Sequence, residues 1–223
     1  MGISQKLKMR LYEKVTWELN MIRVVLCLLI LAGCTTTSSP VHAEKSERLN
    51  VEIPAGWTAA VSRTVGDIQV AEYYPPGSSQ EWTQKISVEA LSGSDLPDPL
   101  IFTDGMAEQQ NRVCNRFSAN PIFAGFENGY ASSVQMLQCG DNKRTGKDVV
   151  TVVKAIRGND SFYTVTRIWR LDQAPPPLAP ETINLDQNEL AAWSHTLRKV
   201  QVCDPALAAH PCPDPEAQAN PNP

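Results

Sequence analysis

The chain predicts an α+β domain, an antiparallel sheet of six or seven strands with two helices packed on one face. Three observations carry that prediction. Residues 81–91 alternate apolar and polar side chains at the two-residue period of a half-buried strand. Two pairs of runs rich in β-branched and aromatic residues fold back across Asn128-Gly129 and Gly158-Asn159, residues suited to two-residue hairpin turns. Two other stretches, following Asp98 and Asp186, carry helix-start signals and then apolar residues at helical spacing. No internal repeat of fixed period interrupts this order.

Taken in order, the domain begins at Val51-Glu52-Ile53, before a Pro54-Ala55-Gly56 turn. Residues 57–63 read as a short strand and 66–74 as a stronger one, ended by Pro75-Pro76-Gly77. In residues 81–91, Trp82, Gln84, Ile86, Val88 and Ala90 share one face, while Glu81, Thr83, Lys85, Ser87 and Glu89 share the other. Asp98-Pro99 then supplies an N-cap and a proline at the first helical position. The helix runs to about Phe117 with Phe102, Met106, Val113 and Phe117 near one stripe; Thr103 offers a later cap, and Gly105 costs about 1 kcal/mol relative to Ala.

Residues 122–126 and 130–138 form the first hairpin, 140–147 a charged loop, and 149–157 with 160–171 the second hairpin. Prolines 175–177 and 180 mark a loop. Asp186 with Glu189 reads as a capping box, and the helix behind it puts Leu190, Trp193, Leu197 and Val200 on one face. The last stretch, 204–223, carries six prolines and is expected to be disordered apart from a staple at Cys212.

The amino-terminal part has a different character. Met21 to Cys34 reads M-I-R-V-V-L-C-L-L-I-L-A-G-C, an apolar run about half as long as a membrane span, followed by Thr, Ser and Pro. The run and its Leu31-Ala32-Gly33-Cys34 ending resemble the signal peptide and lipobox of bacterial lipoproteins. The resemblance implies a leader over 1–33 with the true start at Met21, acylation of Cys34 as the first mature residue, and a polar linker over 34–48. It implies anchorage in the lipid bilayer through Cys34, and Thr35 in place of Asp points to the outer membrane, facing the periplasm. A single globular domain then spans 49–203, a size suited to one core.

Twenty Lys and Arg face 24 Asp and Glu; removing the leader's five basic and two acidic residues leaves 15 against 22, a formal charge of −7. Nucleic acid is a poor partner for such a chain. Of six cysteines, Cys27 leaves with the leader and Cys34 takes the lipid, so Cys114, Cys139, Cys203 and Cys212 form an even set. In an oxidising compartment three pairings are open to them, and the local one, Cys114 with Cys139 and Cys203 with Cys212, is expected. His210 lies between the last two cysteines, but no metal-binding spacing accompanies it, and neither a metal nor a cofactor is expected.

If the second hairpin turns at Gly158-Asn159, Arg157 faces Asp160, Ala155 faces Phe162 and Lys154 faces Tyr163. One face is then uncharged in its middle and packs under the helices. The other presents Lys154, Tyr163, Arg167 and Trp169, two cations and two amphipathic aromatics, as a candidate binding face for an anionic or aromatic ligand or a partner chain. Catalysis has no comparable foothold: no nucleophile elbow, zinc-protease motif, P-loop or dinucleotide fingerprint occurs. His195 reads as a structural residue on the last helix. Asp67, Glu72 and Asp148 could act as acid and base only through tertiary contacts.

E-Y-Y-P-P-G at 72–77, E-W-T-Q-K-I-S-V at 81–88 and K-A-I-R-G-N-D-S-F-Y at 154–163 give the body a resemblance to uncharacterised proteobacterial secreted proteins. The order of elements is similar to the PsbP-like fold, whose members include many binding or assembly factors. These readings converge on a non-enzymatic envelope lipoprotein, a binding or assembly module with a protein partner in the envelope. The alternatives are a periplasmic inhibitor or immunity-type protein directed at a cationic enzyme, and a hydrolase with an unrecognised site.

Overall fold

The computed structural model describes residues 46–78, 82–172 and 185–213. The leader, Cys34, the linker to residue 45, Glu81, the proline loop at 175–180 and the tail beyond residue 213 lie outside the described residues. The described chain runs β1 (Arg48–Asn50), β2 (Thr58–Val65), β3 (Ile68–Tyr74), β4 (Gln84–Ser92), α1 (Pro99–Val113), β5 (Cys114–Glu127), β6 (Tyr130–Asn142), β7 (Asp148–Arg157), β8 (Ser161–Leu171), α2 (Gln187–Lys199) and β9 (Gln201–Cys203). Seven strands form one antiparallel sheet in the order β2-β3-β4-β8-β7-β6-β5, and β1 pairs with β9 in a separate two-stranded ribbon. The predicted α+β class and antiparallel sheet are therefore present, with the higher strand number.

Turn chemistry accounts for the hairpins. Asn128 and Gly129 take φ of 50° and 82°, the left-handed pair that a two-residue turn between Glu127 and Tyr130 requires. The second hairpin departs from expectation. Its ladder pairs Arg157 with Phe162, Ala155 with Thr164 and Lys154 with Val165, and the Gly158 N–H donates to the Ser161 carbonyl at 2.9 Å. The two-residue loop is thus Asn159-Asp160, one position later. Glu47 is the cause: its carboxylate accepts the Asn159 N–H at 2.6 Å and the Asp160 N–H at 3.4 Å. It also lies against Gly158, where a Cβ would come within 2.2 Å of Oε1. The slip displaces each partner by two residues, so the two faces keep their membership.

Both helices start as expected. The Asp98 carboxylate accepts the N–H groups of Leu100 and Ile101 at 2.9 and 3.1 Å, and that of Asp186 accepts the Asn188 N–H at 2.9 Å. Helix α1 ends at Val113 rather than near Phe117, because Cys114 enters β5 and Phe117 pairs with Cys139 in the β5–β6 ladder. The disulfides are Cys114–Cys139 and Cys203–Cys212, so the first staples two strands instead of helix to strand.

The helices divide between the two faces of the sheet, where one shared face is expected from the sequence. Trp193 and Leu197 of α2 pack with Val150, Val152, Ile156, Val165 and Trp169. Phe102 of α1 packs with Ala155 and Phe162 on the opposite side, and Thr103 meets Ser133 at 3.0 Å. The reason lies in β7, which is buried from Asp148 to Ile156 without alternation. A strand apolar on both sides needs cover on both.

Residues 204–213 form a defined loop, exposed along 205–209 but tied down at its ends, contrary to the disorder expected there. The Asp204 N–H donates to the His210 carbonyl at 2.8 Å, and the His210 ring lies 4.3 Å from that of Tyr130 with Nδ1 2.8 Å from the Asn128 carbonyl. Asn128 in turn donates to the carbonyls of Val202 and Pro211. The Cys203–Cys212 bridge holds this loop across the first hairpin turn.

Candidate functional site

Lys154, Tyr163, Arg167 and Trp169 do share one face, and that face is closed. They are 1%, 8%, 7% and 0% exposed, because α2 and the segment before β2 lie over them. The Arg167 guanidinium sits 5.2, 4.6 and 5.4 Å from the ring centres of Trp57, Trp169 and Trp193. It donates to Gln84 Oε1 at 2.8 Å and to Glu189 Oε1, which also accepts the Trp169 indole N–H at 2.9 Å. Glu189 is thus drawn onto the sheet rather than back to its own helix start. Burial pulls the Arg167 guanidinium below its ordinary pKa, and the Glu189 charge works against that shift.

Lys154 donates to the Leu197 carbonyl at 2.9 Å and to Glu127 Oε2 at 2.8 Å; burial lowers its pKa and Glu127 opposes the change. The Tyr163 hydroxyl donates to Glu47 at 3.3 Å, and burial with the Glu47 charge pushes it up to about 12. These charged heads are spent on protein partners. The face is a polar lock between α2 and the sheet; at its edge Lys154 lines a cavity of about 300 Å3 with Glu127, Val134 and Leu197, where its ammonium is already paired with Glu127.

Of the carboxylates considered for acid–base work, Asp67 is exposed at the β2–β3 turn, and Glu72 and Asp148 are separately engaged. Asp148 is 1% exposed and faces Arg116 at 3.5 Å, while Glu72 accepts from Lys85 at 2.7 Å and Tyr74 at 2.8 Å. Burial alone would raise the Glu72 carboxyl; the hydrogen bonds from Lys85 and Tyr74 outweigh it and hold the group below its ordinary value. His195 is exposed on α2. Among the described residues no three His, Cys, Asp or Glu side chains gather as a metal site would.

The open site lies on the other face. Helix α1 crosses β5, β6 and β7 and leaves the end of β8 and β4 uncovered, so a groove of about 520 Å3 opens beside it. Val149, Ile168, Met106 and Val113 give it apolar floor and wall, with Thr151 and Thr166 between. Lys85 and Arg170 come from β4 and β8, Arg112 from the last turn of α1, and Arg144 from the loop joining β6 to β7. Arg170 stacks over Trp82 at 3.6 Å from the ring centre, and Lys85 lies 5.1 Å from the same ring. Among the described residues only Lys85 of the four has a carboxylate within 4 Å. The loop is held by its own backbone: Asn142 bonds to Lys147, Thr145 and Gly146, and its Oδ1 accepts the Arg144 N–H at 3.0 Å.

Sequence reasoning missed this groove because its parts come from five separate segments. Trp82 was expected on the core face of its strand. The ladder begins only at Gln84, so Trp82 is free to turn beside Lys85 and receive Arg170. The one available signal was charge, and it was faint: three arginines in a net-negative chain, of which Arg112 has Glu108 four residues before it on the same helix.

No protein-family profile matches the chain, and no curated protein matches it. Among solved structures, the chain is similar to the Ran-binding protein Mog1p of Saccharomyces cerevisiae, with 14% identity and a TM-score of 0.39, over 66% of this chain and 78% of that one. A mutant form of Mog1 gives the same values.

Proposed function

We propose that the chain is a non-enzymatic lipoprotein of the bacterial cell envelope, tethered through Cys34 to the outer membrane on its periplasmic side. In this reading it binds an anionic partner in the groove beside α1. The observation that carries it is that groove: Arg112, Arg144 and Arg170 converge on an apolar floor open to solvent, in a chain whose formal charge is −4. Cations gathered against the sign of the whole molecule cost self-repulsion, and a bound anion relieves it. The two disulfides suit an oxidising compartment. The basic groove favours an acidic partner over the cationic enzyme of the inhibitor reading.

Two measurements test the proposal. Intact mass of the membrane-extracted protein is expected to show a chain beginning at Cys34 with added lipid; an unmodified chain retaining Met21 would end the lipoprotein reading. The mature protein and its Arg112→Gln/Arg144→Gln/Arg170→Gln variant are then compared as baits in envelope extract at low and high salt. A stoichiometric partner held by the first, released by salt and lost from the variant is the expected result. A set of bound proteins identical for both baits would remove the groove from the function.

A further inference from the structure

The groove's two ends are built differently, and their spacing specifies a ligand. At one end Lys85, Arg170 and Trp82 gather on β4 and β8. At the other, Arg112 and Arg144 stand on the end of α1 and the loop leaving β6. Strands β8 and β6 are separated by β7 alone, two inter-strand steps or about 10 Å. That is also about one turn of polyproline II, in which three residues rise about 3.1 Å each and residues i and i+3 return to the same face. Between the ends lie Val149 and Ile168, and Gln109, Gln110 and Thr145 on the rim can donate to or accept from a peptide backbone.

Resting on the reading that this groove binds an anion, we infer that its ligand is an acidic peptide segment of a partner protein in the polyproline II form, crossing the strands with two carboxylate side chains about three residues apart on one of its faces. The carboxylate at one end meets Arg170 beside Trp82, and the other meets Arg112 and Arg144. A small apolar residue between them covers Val149 and Ile168. Charge complementarity sets the sign of this ligand, and the open form of the groove sets its shape. An acyl chain would need an enclosed channel to bury its length, whereas a peptide continues past both ends of an open groove. Arginine also matches a carboxylate with two parallel N–H donors, which makes position along the groove matter.

The test is calorimetric titration of the mature protein with a synthetic peptide, Ac-Ser-Glu-Ala-Leu-Glu-Ala-Ser-NH2. It is repeated with each Glu changed to Gln and with both changed, and then with Arg144→Gln and Arg170→Gln proteins whose folding is checked by circular dichroism. Each lost charge contact is expected to weaken binding about two- to fivefold and the doubly neutral peptide about tenfold or more, with high salt acting in the same direction. In addition, Arg170→Gln and Arg144→Gln should each become less sensitive to a different one of the two Glu changes, the cation left at that end, Lys85 or Arg112, keeping part of the response. Equal binding of the acidic and neutral peptides would overturn the proposal, as would the same response of both protein variants to both Glu changes. Laurate and phosphatidylglycerol vesicles are run beside the peptides. Arg170-dependent binding of either without the peptide would replace the peptide by a lipid anion and leave the anion-binding reading standing. Failure of all three probes would end both.

Discussion

The two faces of the sheet carry similar residue types and use them in opposite ways. Under α2, Arg167 stacks among Trp57, Trp169 and Trp193 and is closed off with Glu189 and Gln84 as partners. Beside α1, Arg170 stacks on Trp82 and keeps its guanidinium at the solvent boundary, with no carboxylate partner among the described residues. A cation over an indole is therefore not in itself a binding feature. Whether a carboxylate of the same chain has reached it decides whether it holds the fold or remains available to a ligand.

The largest expected difference between the faces comes from removing one member of the buried pair. Glu189→Ala leaves the Arg167 charge enclosed and the Trp169 indole N–H without its acceptor, and should cost about 3–5 kcal/mol in urea unfolding. Changing both partners, Arg167→Met with Glu189→Leu, should recover much of that loss, since the enclosed charge is gone. Arg170→Ala should stay within about 1 kcal/mol, the range of an exposed cation–π contact. A loss for Arg170→Ala as large as that for Glu189→Ala would erase the distinction between the faces.

Next in size are the staples. Each disulfide closes a loop of moderate length, with separations of 25 and 9 residues, and its removal by paired Cys→Ser changes should cost about 3 kcal/mol. Thiol titration of the mature domain without reductant should find no free thiol among the four cysteines. The two bridges serve different regions, so their effects should add. Cys114–Cys139 lies near the groove with Val149, and Cys203–Cys212 secures the loop that carries His210.

A smaller effect reads the faces by pH. Burial is the first cause that raises Tyr163 and Tyr130 under α2 and Tyr74 near the groove, each to about 12 from an ordinary value of 10.0. A raised folded value means that the neutral form is the one the fold favours. Their contribution is therefore complete below pH 10 and is lost as pH rises toward 12. Tyrosinate absorbance during alkaline titration should show these groups ionising late and together with unfolding. Tyr163→Phe should leave one fewer in that late phase, and an unchanged late phase would show that the Tyr163 hydroxyl is not enclosed.

Much of this fold can be read from local pattern, and the limits have physical causes. Asp98-Pro99, Asp186 and Asn128-Gly129 work within a few residues of themselves, so their roles survive into the structure. The second hairpin's turn is decided by Glu47, more than a hundred residues away, which local pattern cannot weigh. Glu189 stands at the spacing of a capping box, yet a buried arginine is the stronger claimant for its carboxylate. The four-residue face of Lys154, Tyr163, Arg167 and Trp169 was legible as a face, because alternation along a strand assigns sides. Its cover was not, because β7 is buried on both sides and alternation carries no word on which helix goes where. The groove needs β4, β8, β7, the end of α1 and one loop together, and so exists only in three dimensions.

The smallest expected stability effect is the one that most sharpens the contrast. If Arg112, Arg144 and Arg170 are a cluster held for a ligand, they repel one another in the empty protein over distances comparable to the Debye length, about 10 Å at 0.1 M salt. Changing all three to Gln should then leave the urea midpoint nearly unchanged or slightly raised, by less than about 1 kcal/mol. Added salt should stabilise the unmodified protein a little and the triple variant less, because screening has less repulsion to remove. The enclosed Arg167–Glu189 pair should be far less responsive to salt, being shielded from counterions by the protein around it. Equal salt responses in the unmodified protein and the triple variant would mean that the groove cations do not feel one another, and the argument that a bound anion relieves them would lose its basis.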